Sequence, residues 1–262
     1  MKGYIQRITG IGVSRKQPDA DTANTPITPE QPFVAIGDIH GRADLLLEID
    51  RLIEARCPGW PVIFLGDYVD RGDESREVLD LLMSVSPEGT PSVTCLMGNH
   101  ERMMLDFLDD PAKHAQRWLR NGGLQTLASF GIAPPLGKAG DENTICDLRD
   151  RLAGAMGPAM IDWLRARPLI WRSGNVWAVH AGADPGLPMT GQSDEVLIWG
   201  HPAFGSTRRT DGQWVIHGHT IVDAPCAHLG RIALDTGAYA TGRLSAAAIS
   251  ACSVDFIQTG AE

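Results

Sequence analysis

Five short segments of this chain place side chains that could bind metal ions next to glycine. In chain order they are GDIHG (37–41), GDYVDRG (66–72), GNHE (98–101), VHAG (179–182) and HGHT (217–220). A single Gly-Asp or His-Gly pair is common in turns, so each segment alone is weak evidence. Each of these follows an apolar run that favours a β-strand. The ordered set therefore predicts a site for two metal ions that hydrolyses phosphate esters.

The candidate ligands divide between two cations. Asp38 and His40 are two residues apart, so on an extended segment their side chains point the same way and can bind one cation. The two oxygens of Asp67 can bridge both cations. The shell of the second cation is completed by Asn99, His180 and His219. Carboxylate, amide and imidazole ligands suit Mn, Fe or Zn better than Ca. Two such cations, about 3.5–4 Å apart, would hold a phosphate and a bridging hydroxide for in-line attack.

Three further motif residues fit catalytic roles. His100 directly follows the proposed ligand Asn99, so it lies beside the metals and is the candidate general acid that protonates the leaving oxygen. Asp70 can accept a hydrogen bond from the other ring nitrogen of His100 and fix its tautomer. Arg71 offers a planar guanidinium to phosphoryl oxygens. Other residues near the motifs, including Glu101, are expected to be structural or exposed.

The motifs follow strands that alternate with helices in the first half of the chain. Strands are predicted at 33–38, 61–67 and 92–99, with helices at 43–56, 74–85 and 101–108. This alternation predicts parallel strands joined by right-handed crossovers, with a site beyond their carboxyl ends. Residues 112–167 read as a helical insertion. Strands then return at 168–172, 176–181, 214–219, 231–236, 244–249 and 254–258, and their hairpin-like spacing predicts a second, mostly antiparallel sheet.

Bulk properties restrict partners and location. The chain has 262 residues and a net charge of −9, which argues against nonspecific nucleic-acid binding. No apolar run is long enough to span a membrane, and the basic N-terminus lacks the apolar core of a signal peptide. Five cysteines without a CxxC spacing indicate reduced thiols. We expect a cytoplasmic enzyme with a flexible leader (1–32) and a single catalytic domain (33–262) that carries the insertion around 112–167.

The five motifs together resemble the signature of the phosphoprotein phosphatase family of calcineurin-like metallophosphoesterases. The NGG at 121–123 and the tail RIALDTGAYATGRLSA (231–246) are similar to its bacterial and phage branch, the lambda-phosphatase-type serine/threonine phosphatases. The resemblance implies an α/β fold in four layers, with two mixed β-sheets in a sandwich flanked by helices. It also implies a dinuclear centre that is usually active with Mn and hydrolysis without a phosphoenzyme. Carried over position by position, it assigns the metal-ligand, acid and phosphate-binding roles given above.

One position departs from this resemblance. Members of the family commonly carry a second phosphate-binding arginine in a W-x-R sequence, where this chain has Trp199-Gly200-His201. A neutral imidazole binds phosphate less well than a guanidinium. Three interpretations are open: protonated His201 binds the substrate, Arg208 or Arg209 replaces the arginine, or the substrate differs from the usual phosphoprotein. A loop role for His201 without any function is a further alternative.

Three functions are compatible with the sequence. The first is a metal-dependent phosphomonoesterase that acts on phosphoserine or phosphothreonine in proteins, or on small phosphoesters. The second is a dinucleoside polyphosphate hydrolase of the diadenosine tetraphosphate type, in which Arg117, Arg120 and Asn121 would bind a nucleotide. The third is a scaffold without activity, which the presence of every ligand and of His100 argues against. The sequence leaves the oligomeric state open.

Overall fold

A computed structural model describes residues 25–86, 92–133 and 142–260 of the chain. Its strands are β1 (Phe33–Ile36), β2 (Val62–Phe64), β3 (Val93–Cys95), β4 (Ile170–Ser173), β5 (Val176–Val179), β6 (Trp214–His217), β7 (Cys226–His228), β8 (Arg231–Ala233), β9 (Ser245–Ser250) and β10 (Ser253–Gln258). Its α-helices are α1 (Ala43–Arg56), α2 (Ser75–Val85), α3 (Asn99–Asp109), α4 (Pro111–Trp118), α5 (Leu124–Ser129), α6 (Glu142–Arg165), α7 (Asp194–Trp199) and α8 (Ala238–Thr241). A π-helical turn (Leu119–Gly123) joins α4 to α5, and α6 is interrupted at Gly157.

The first sheet carries the three strands that precede the first three motifs. Its order is β10-β9-β1-β2-β3, with β1, β2 and β3 parallel. All four residues of β1 are buried, because the sheet is covered on both faces. Val34 and Ile36 pack against the helices, whereas Phe33 and Ala35 pack against the second sheet. The predicted parallel arrangement is confirmed for these strands.

The second sheet differs from the one predicted. Its order is β4-β5-β6-β8-β7, and β5, β6 and β8 are parallel to one another. Only its two edge pairs, β4 with β5 and β7 with β8, are antiparallel. The expectation of a mostly antiparallel sheet was wrong. A long segment that contains α7 connects β5 to β6, and a connection of that length allows a parallel crossover.

The last two strands also pair differently from the prediction. They form a hairpin, as their spacing indicates, but β9 pairs with β1 in the first sheet. The partner of β9 lies about two hundred residues earlier in the sequence, and no local pattern encodes a pairing over that separation. The mixed character of the first sheet therefore comes from its C-terminal strands.

Three apolar clusters hold the layers together. One lies between the sheets and includes Phe33, Leu65 and Ile216. Another joins the outer face of the first sheet to α1, α2, α3 and α6, and a smaller one covers the outer face of the second sheet with α7 and its neighbouring loops. The predicted α/β fold of two mixed sheets flanked by helices is therefore confirmed. Among the described residues, no helix combines the length and apolar character that crossing a bilayer requires.

Residues 25–32 are attached to the two sheets. Ile27 is buried, and its carbonyl accepts a hydrogen bond from the backbone N–H of Cys252. The side chain of Asn175 accepts from the backbone N–H of Thr28 and donates to the carbonyl of Pro26. The folded part of the described chain thus starts before the boundary expected at Phe33. The remainder of the expected leader, residues 1–24, lies outside the described residues.

Candidate active site

The candidate ligands meet where the two sheets end. Asp38, Asp67 and Asn99 follow the carboxyl ends of β1, β2 and β3, while His180 and His219 follow β5 and β6. All of them are buried except His219, which is partly exposed. Parallel strands bring their carboxyl ends to one edge of a sheet, so residues distant in sequence converge here. The sandwich places both edges side by side.

Two groups of side chains have spacing suited to a metal ion, and Asp67 belongs to both. In the first, the Nε2 atoms of His40 and His100 lie 3.5 and 3.8 Å from Asp67 Oδ2. In the second, His180 Nε2 lies 3.3 Å from Asp67 Oδ1. The amide oxygen of Asn99 lies 2.8 Å from His180 Nε2 and 2.7 Å from His219 Nδ1. Each group of His and Asp ligand atoms falls within 4.8 Å.

This set of donors fits divalent cations. The Nδ1 atoms of His40 and His180 lie 2.8 and 2.9 Å from the carbonyls of Val69 and Leu65, which turns each Nε2 towards Asp67. Burial lowers the pKa of His40 to about 3 and that of His219 to about 4. Both rings are therefore neutral at pH 7, which is the form that binds a metal ion.

Asp38 stands slightly apart from these two groups. Its carboxylate accepts hydrogen bonds from the backbone N–H of His219, at 3.2 and 3.0 Å. A Cβ at Gly218 would overlap an oxygen of this carboxylate, so only glycine allows the close approach. Burial, followed by the charges of Asp235 and Asp67, raises the pKa of Asp38 well above its usual value. A cation at this position would remove that electrostatic penalty.

The backbone of the site is strained. Of the described residues other than glycine, seven have a positive φ angle between 47° and 70°. Five of these seven are candidate site residues, namely His40, Asp67, Asp70, Arg71 and His219. Such a conformation costs about 1–3 kcal/mol at each residue, and it is concentrated where side chains must be aimed. The strain is thus an independent sign of a functional site.

His100 and Asp70 form a buried pair. His100 Nδ1 lies 2.7 Å from Asp70 Oδ2, which leaves Nε2 directed towards Asp67, 3.8 Å from its Oδ2. Asp70 also accepts from Trp118 Nε1 at 3.1 Å and from Thr126 Oγ1 at 2.6 Å. Burial lowers the pKa of His100, but the carboxylates of Asp67 and Asp70 outweigh it and raise that pKa above its ordinary value. The arrangement therefore favours protonated His100 more than aqueous solution favours a protonated free imidazole.

Arg71 lies on the side of His40. Its Nη1 is 3.2 Å from His40 Nε2, and its guanidinium stacks on the ring of Tyr239 at 4.8 Å. The NGG turn supports it from behind, because Gly122 has a φ of 111° and a Cβ there would overlap the Arg71 backbone nitrogen. Stacking on Tyr239 uses the face of the guanidinium and leaves the N–H groups at its edge available for phosphoryl oxygens.

Glu101 is structural, as expected. Its carboxylate accepts hydrogen bonds from the backbone N–H groups of Asp67, Tyr68, Val69 and Gly98, at distances of 2.7–3.2 Å. These bonds fix the turn after β2 to the start of α3. Because that turn carries Asp67 and α3 carries His100, Glu101 sets the position of one relative to the other.

His201 lies beside His219, a member of the second group of ligands. With Trp199, His217 and His219 it lines an open cavity of about 520 Å³. The ring of His201 is partly exposed, and its Nε2 lies 3.8 Å from Asp184 Oδ2. His217 also contacts the ring of Phe204 edge-on, at 4.9 Å between centroids.

The remaining candidates for phosphate binding are placed elsewhere. Arg209 is buried and donates to the carbonyls of Asp184 and Leu187 and to the carboxylate of Asp211, so its guanidinium is already satisfied. Arg208 lines a separate cavity with Thr25 and Trp214. Neither residue is among those that line the cavity of His201. Asn121 is exposed, and its amide donates to the carbonyl of Arg117 at 2.8 Å.

Several residues of the site were missed by reasoning from the sequence. Trp118, Thr126 and Ser75 surround Asp70, Tyr239 supports Arg71, and Asp235 lies beside Asp38. The segments WLRNGG and LDTGAY, which contain three of these residues, resemble the family, but their roles follow only from the tertiary contacts.

The chain is similar in part of its sequence to known proteins. The chain is 49% identical over 70 residues to a candidate serine/threonine-protein phosphatase of Schizosaccharomyces pombe, and 43% identical over 70 residues to a protein phosphatase 2A catalytic subunit of Dictyostelium discoideum. Each match covers 27% of this chain and 22% of the relative, so the chain spans about a fifth of the length of these relatives.

A solved structure and a family match extend the comparison over the whole fold. A crystal structure of a candidate diadenosine tetraphosphatase superposes with a TM-score of 0.59 at 19% identity, covering 89% of this chain and 98% of that one. At this identity the likeness concerns the fold alone. The calcineurin-like phosphoesterase family matches residues 31–223, which include every motif from Asp38 to His219. The chain therefore belongs to the calcineurin-like phosphoesterase family, whose members are metal-dependent phosphoester hydrolases.

Proposed function

We propose that this protein hydrolyses phosphomonoesters at a dinuclear metal centre and that its substrates are phosphoserine and phosphothreonine in proteins. The observation that carries the proposal is the buried pair of His100 and Asp70, at 2.7 Å, in which His100 also belongs to one of the two groups that share Asp67. The Nδ1 atoms of His40 and His180 face backbone carbonyls, whereas Nδ1 of His100 faces a carboxylate. A charged partner favours the protonated imidazole, which is the form that can give a proton to the leaving oxygen.

Two divalent ions are proposed as cofactors, Mn first, with Fe or Zn as alternatives. Asp38, His40 and Asp67 would hold the first ion, and Asp67 would share the second with Asn99, His180 and His219. When bound, such ions neutralise phosphoryl charge and lower the pKa of water. The mixture of oxygen and imidazole donors supports this choice of metals.

The side chains of this protein supply the remaining steps. Asp70 accepts a hydrogen bond from His100 Nδ1–H, so the proton that His100 delivers leaves from Nε2. Arg71 presents N–H donors to the phosphoryl oxygens and holds the phosphorus in line with the leaving group. The turn fixed by Glu101 keeps His100 and Asp67 at constant separation while the substrate changes charge.

A second candidate function is hydrolysis of dinucleoside polyphosphates. It is supported by the name of the superposed structure, a candidate diadenosine tetraphosphatase, and by the open cavity beside His201 and His219. Protein phosphatase activity is favoured because both curated relatives are named as protein phosphatases and share far higher local identity. In either case we propose a cytoplasmic enzyme, and the bacterial and phage subtype remains a prediction.

The deciding experiment is a panel of substrates with the protein supplied with Mn, Fe or Zn. Phosphoserine and phosphothreonine peptides, p-nitrophenyl phosphate and diadenosine tetraphosphate would be compared by kcat/KM. We expect the phosphopeptides and p-nitrophenyl phosphate to be hydrolysed and the dinucleotide to be poor. Preference for the dinucleotide would favour the second function. Binding of fewer than two equivalents of metal together with no hydrolysis would contradict both and revive the scaffold interpretation.

A further inference from the structure

The guanidinium of Arg117 stacks on the ring of Trp199 at 4.0 Å, on the rim of the candidate site. Six arginines stack on aromatic rings in the part of the chain that the structure describes. Four of them also reach a protein oxygen: Arg76 at the carboxylate of Asp80, and Arg167, Arg172 and Arg231 at backbone carbonyls. For the other two, Arg71 and Arg117, no protein oxygen within hydrogen-bond or ion-pair distance is found among the described residues.

Both of these arginines contact a residue of the site. Arg71 contacts His40. Arg117 stacks on Trp199, which lines the cavity together with His201 and His219. Trp118, the next residue in α4, donates to Asp70 within the site. The end of this one helix therefore reaches the acid pair with Trp118 and the rim of the cavity with Arg117.

The stack leaves the donors of Arg117 available. A guanidinium that lies over an indole uses its face, and its N–H groups point outward in the plane. The other cationic candidate on this side, His201, lies 3.8 Å from the carboxylate of Asp184, which offsets any positive charge it carries. Among the described residues, Arg117 is thus an exposed guanidinium whose N–H groups find no protein oxygen, and the ring on which it stacks lines an open cavity.

We propose that Arg117, held by Trp199, is a substrate-binding residue that donates hydrogen bonds to phosphoryl oxygens from the side of the cavity lined by Trp199, His201 and His219. This inference rests on the proposed phosphoesterase function and extends it to a residue outside the five motifs. It also explains how the site accommodates a histidine at position 201. Because Arg117 supplies a guanidinium from α4, the loop after Trp199 does not need to provide a phosphate-binding arginine.

The test is the affinity of the Mn-loaded protein for inorganic phosphate, measured by calorimetry, together with KM for p-nitrophenyl phosphate. Arg117→Ala is expected to weaken phosphate binding and to raise KM about 10- to 100-fold, as for loss of a charge-assisted hydrogen bond. Arg117→Lys should recover only part of this, because an ammonium lacks the planar fork. Arg172→Ala is the matched control: it removes a stack of the same kind, at 4.9 Å on Trp177, and should leave both values unchanged.

Two outcomes would overturn the inference. One is a phosphate affinity for Arg117→Ala within about twofold of the original protein, which is less than one hydrogen bond contributes. The other is a lowered Tm without any change in phosphate affinity, which would make the stack a packing contact only. An original protein that binds phosphate through Arg117 but hydrolyses no phosphoester would contradict the proposed function while leaving this contact intact.

Discussion

The two sides of the candidate site differ in how firmly their side chains are held. The inner wall, residues 67–71 and 98–101, is almost entirely buried. Within it, the carboxylate of Asp70 accepts hydrogen bonds from Trp118, Thr126 and His100. The outer wall, residues 199–205, is partly exposed, and the acid nearest to the ring of His201 lies 3.8 Å away. One wall is fixed by its neighbours, and the other is open to solvent.

We infer from this difference that the inner wall carries the reaction and that the outer wall selects the substrate. Groups that act on the transition state need constant geometry, and a network of buried hydrogen bonds supplies it. Groups that select a substrate gain from an accessible surface on which side chains differ between relatives. We therefore expect variants of the inner wall to change kcat and variants of the outer wall to change KM.

The largest effect is expected for His100→Asn. Loss of a general acid lowers kcat by about 10²–10⁴-fold, whereas the metal ligands stay in place. Stopped assays with p-nitrophenyl phosphate would measure kcat, and metal analysis after gel filtration would count bound Mn. A variant that keeps near-normal kcat would show that the inner wall does not supply the proton.

Asp70→Asn is expected to have the next largest effect, about 10- to 100-fold on kcat. The Asp70 carboxylate helps to raise the pKa of His100, so its loss lowers that pKa and leaves less of the acid protonated at a given pH. The decline of kcat at high pH should then begin at a lower pH than in the original protein. A pH–rate profile checks the direction. An unchanged profile would separate Asp70 from the acid.

Gly122→Ala tests whether the support behind Arg71 belongs to the inner wall. The residue has a φ of 111°, and its Cβ would overlap the backbone nitrogen of Arg71. We expect a loss of about 1–3 kcal/mol in unfolding free energy, with a higher KM. Gly131→Ala is the control, since Gly131 has a φ of 72° but open space around it. Equal effects of both substitutions would mean that backbone strain alone explains them and that the contact with Arg71 contributes nothing.

The smallest effect is expected for His201→Ala on the outer wall. The ring is partly exposed and its Nε2 lies 3.8 Å from the Asp184 carboxylate, so its loss should raise KM less than about tenfold and leave kcat unchanged. Steady-state kinetics with a phosphopeptide would separate the two constants. A fall in kcat comparable to that of His100→Asn would contradict the expectation that outer-wall variants change KM and inner-wall variants change kcat.

The sequence predicts the three parallel strands of the first sheet and the candidate ligands that follow them. Asp38, Asp67 and Asn99 follow apolar runs that alternate with helices, and the geometry of parallel strands then brings them to one edge. The pairing of β9 with β1 escapes such reasoning because it joins strands at opposite ends of the described chain. Local periodicity specifies which face a strand buries but not which strand lies beside it.

Contacts that support the site are harder to predict than the site itself. Thr126 donates to Asp70 across 56 residues, and Tyr239 supports Arg71 from a different part of the chain. Threonine and tyrosine are ordinary in helices and turns, so their types give no sign of these roles. Arg117 is similar, because it is an exposed arginine whose contact with the Trp199 ring appears only in the tertiary structure. Candidate ligands can be recognised from motifs, whereas the residues that support them are recognised only from tertiary packing.

The hydrogen bonds accepted by Glu101 have a consequence for how the protein opens. One carboxylate receives the backbone N–H groups of the turn after β2 and of the residue before α3. If either segment detached, the buried carboxylate of Glu101 would lose hydrogen bonds that an apolar interior cannot replace. The two segments should therefore open as one cooperative unit. Their amide hydrogens should therefore exchange with solvent at a common rate. The active site would then be lost in a single event, with no partly assembled state that binds metal but lacks the acid.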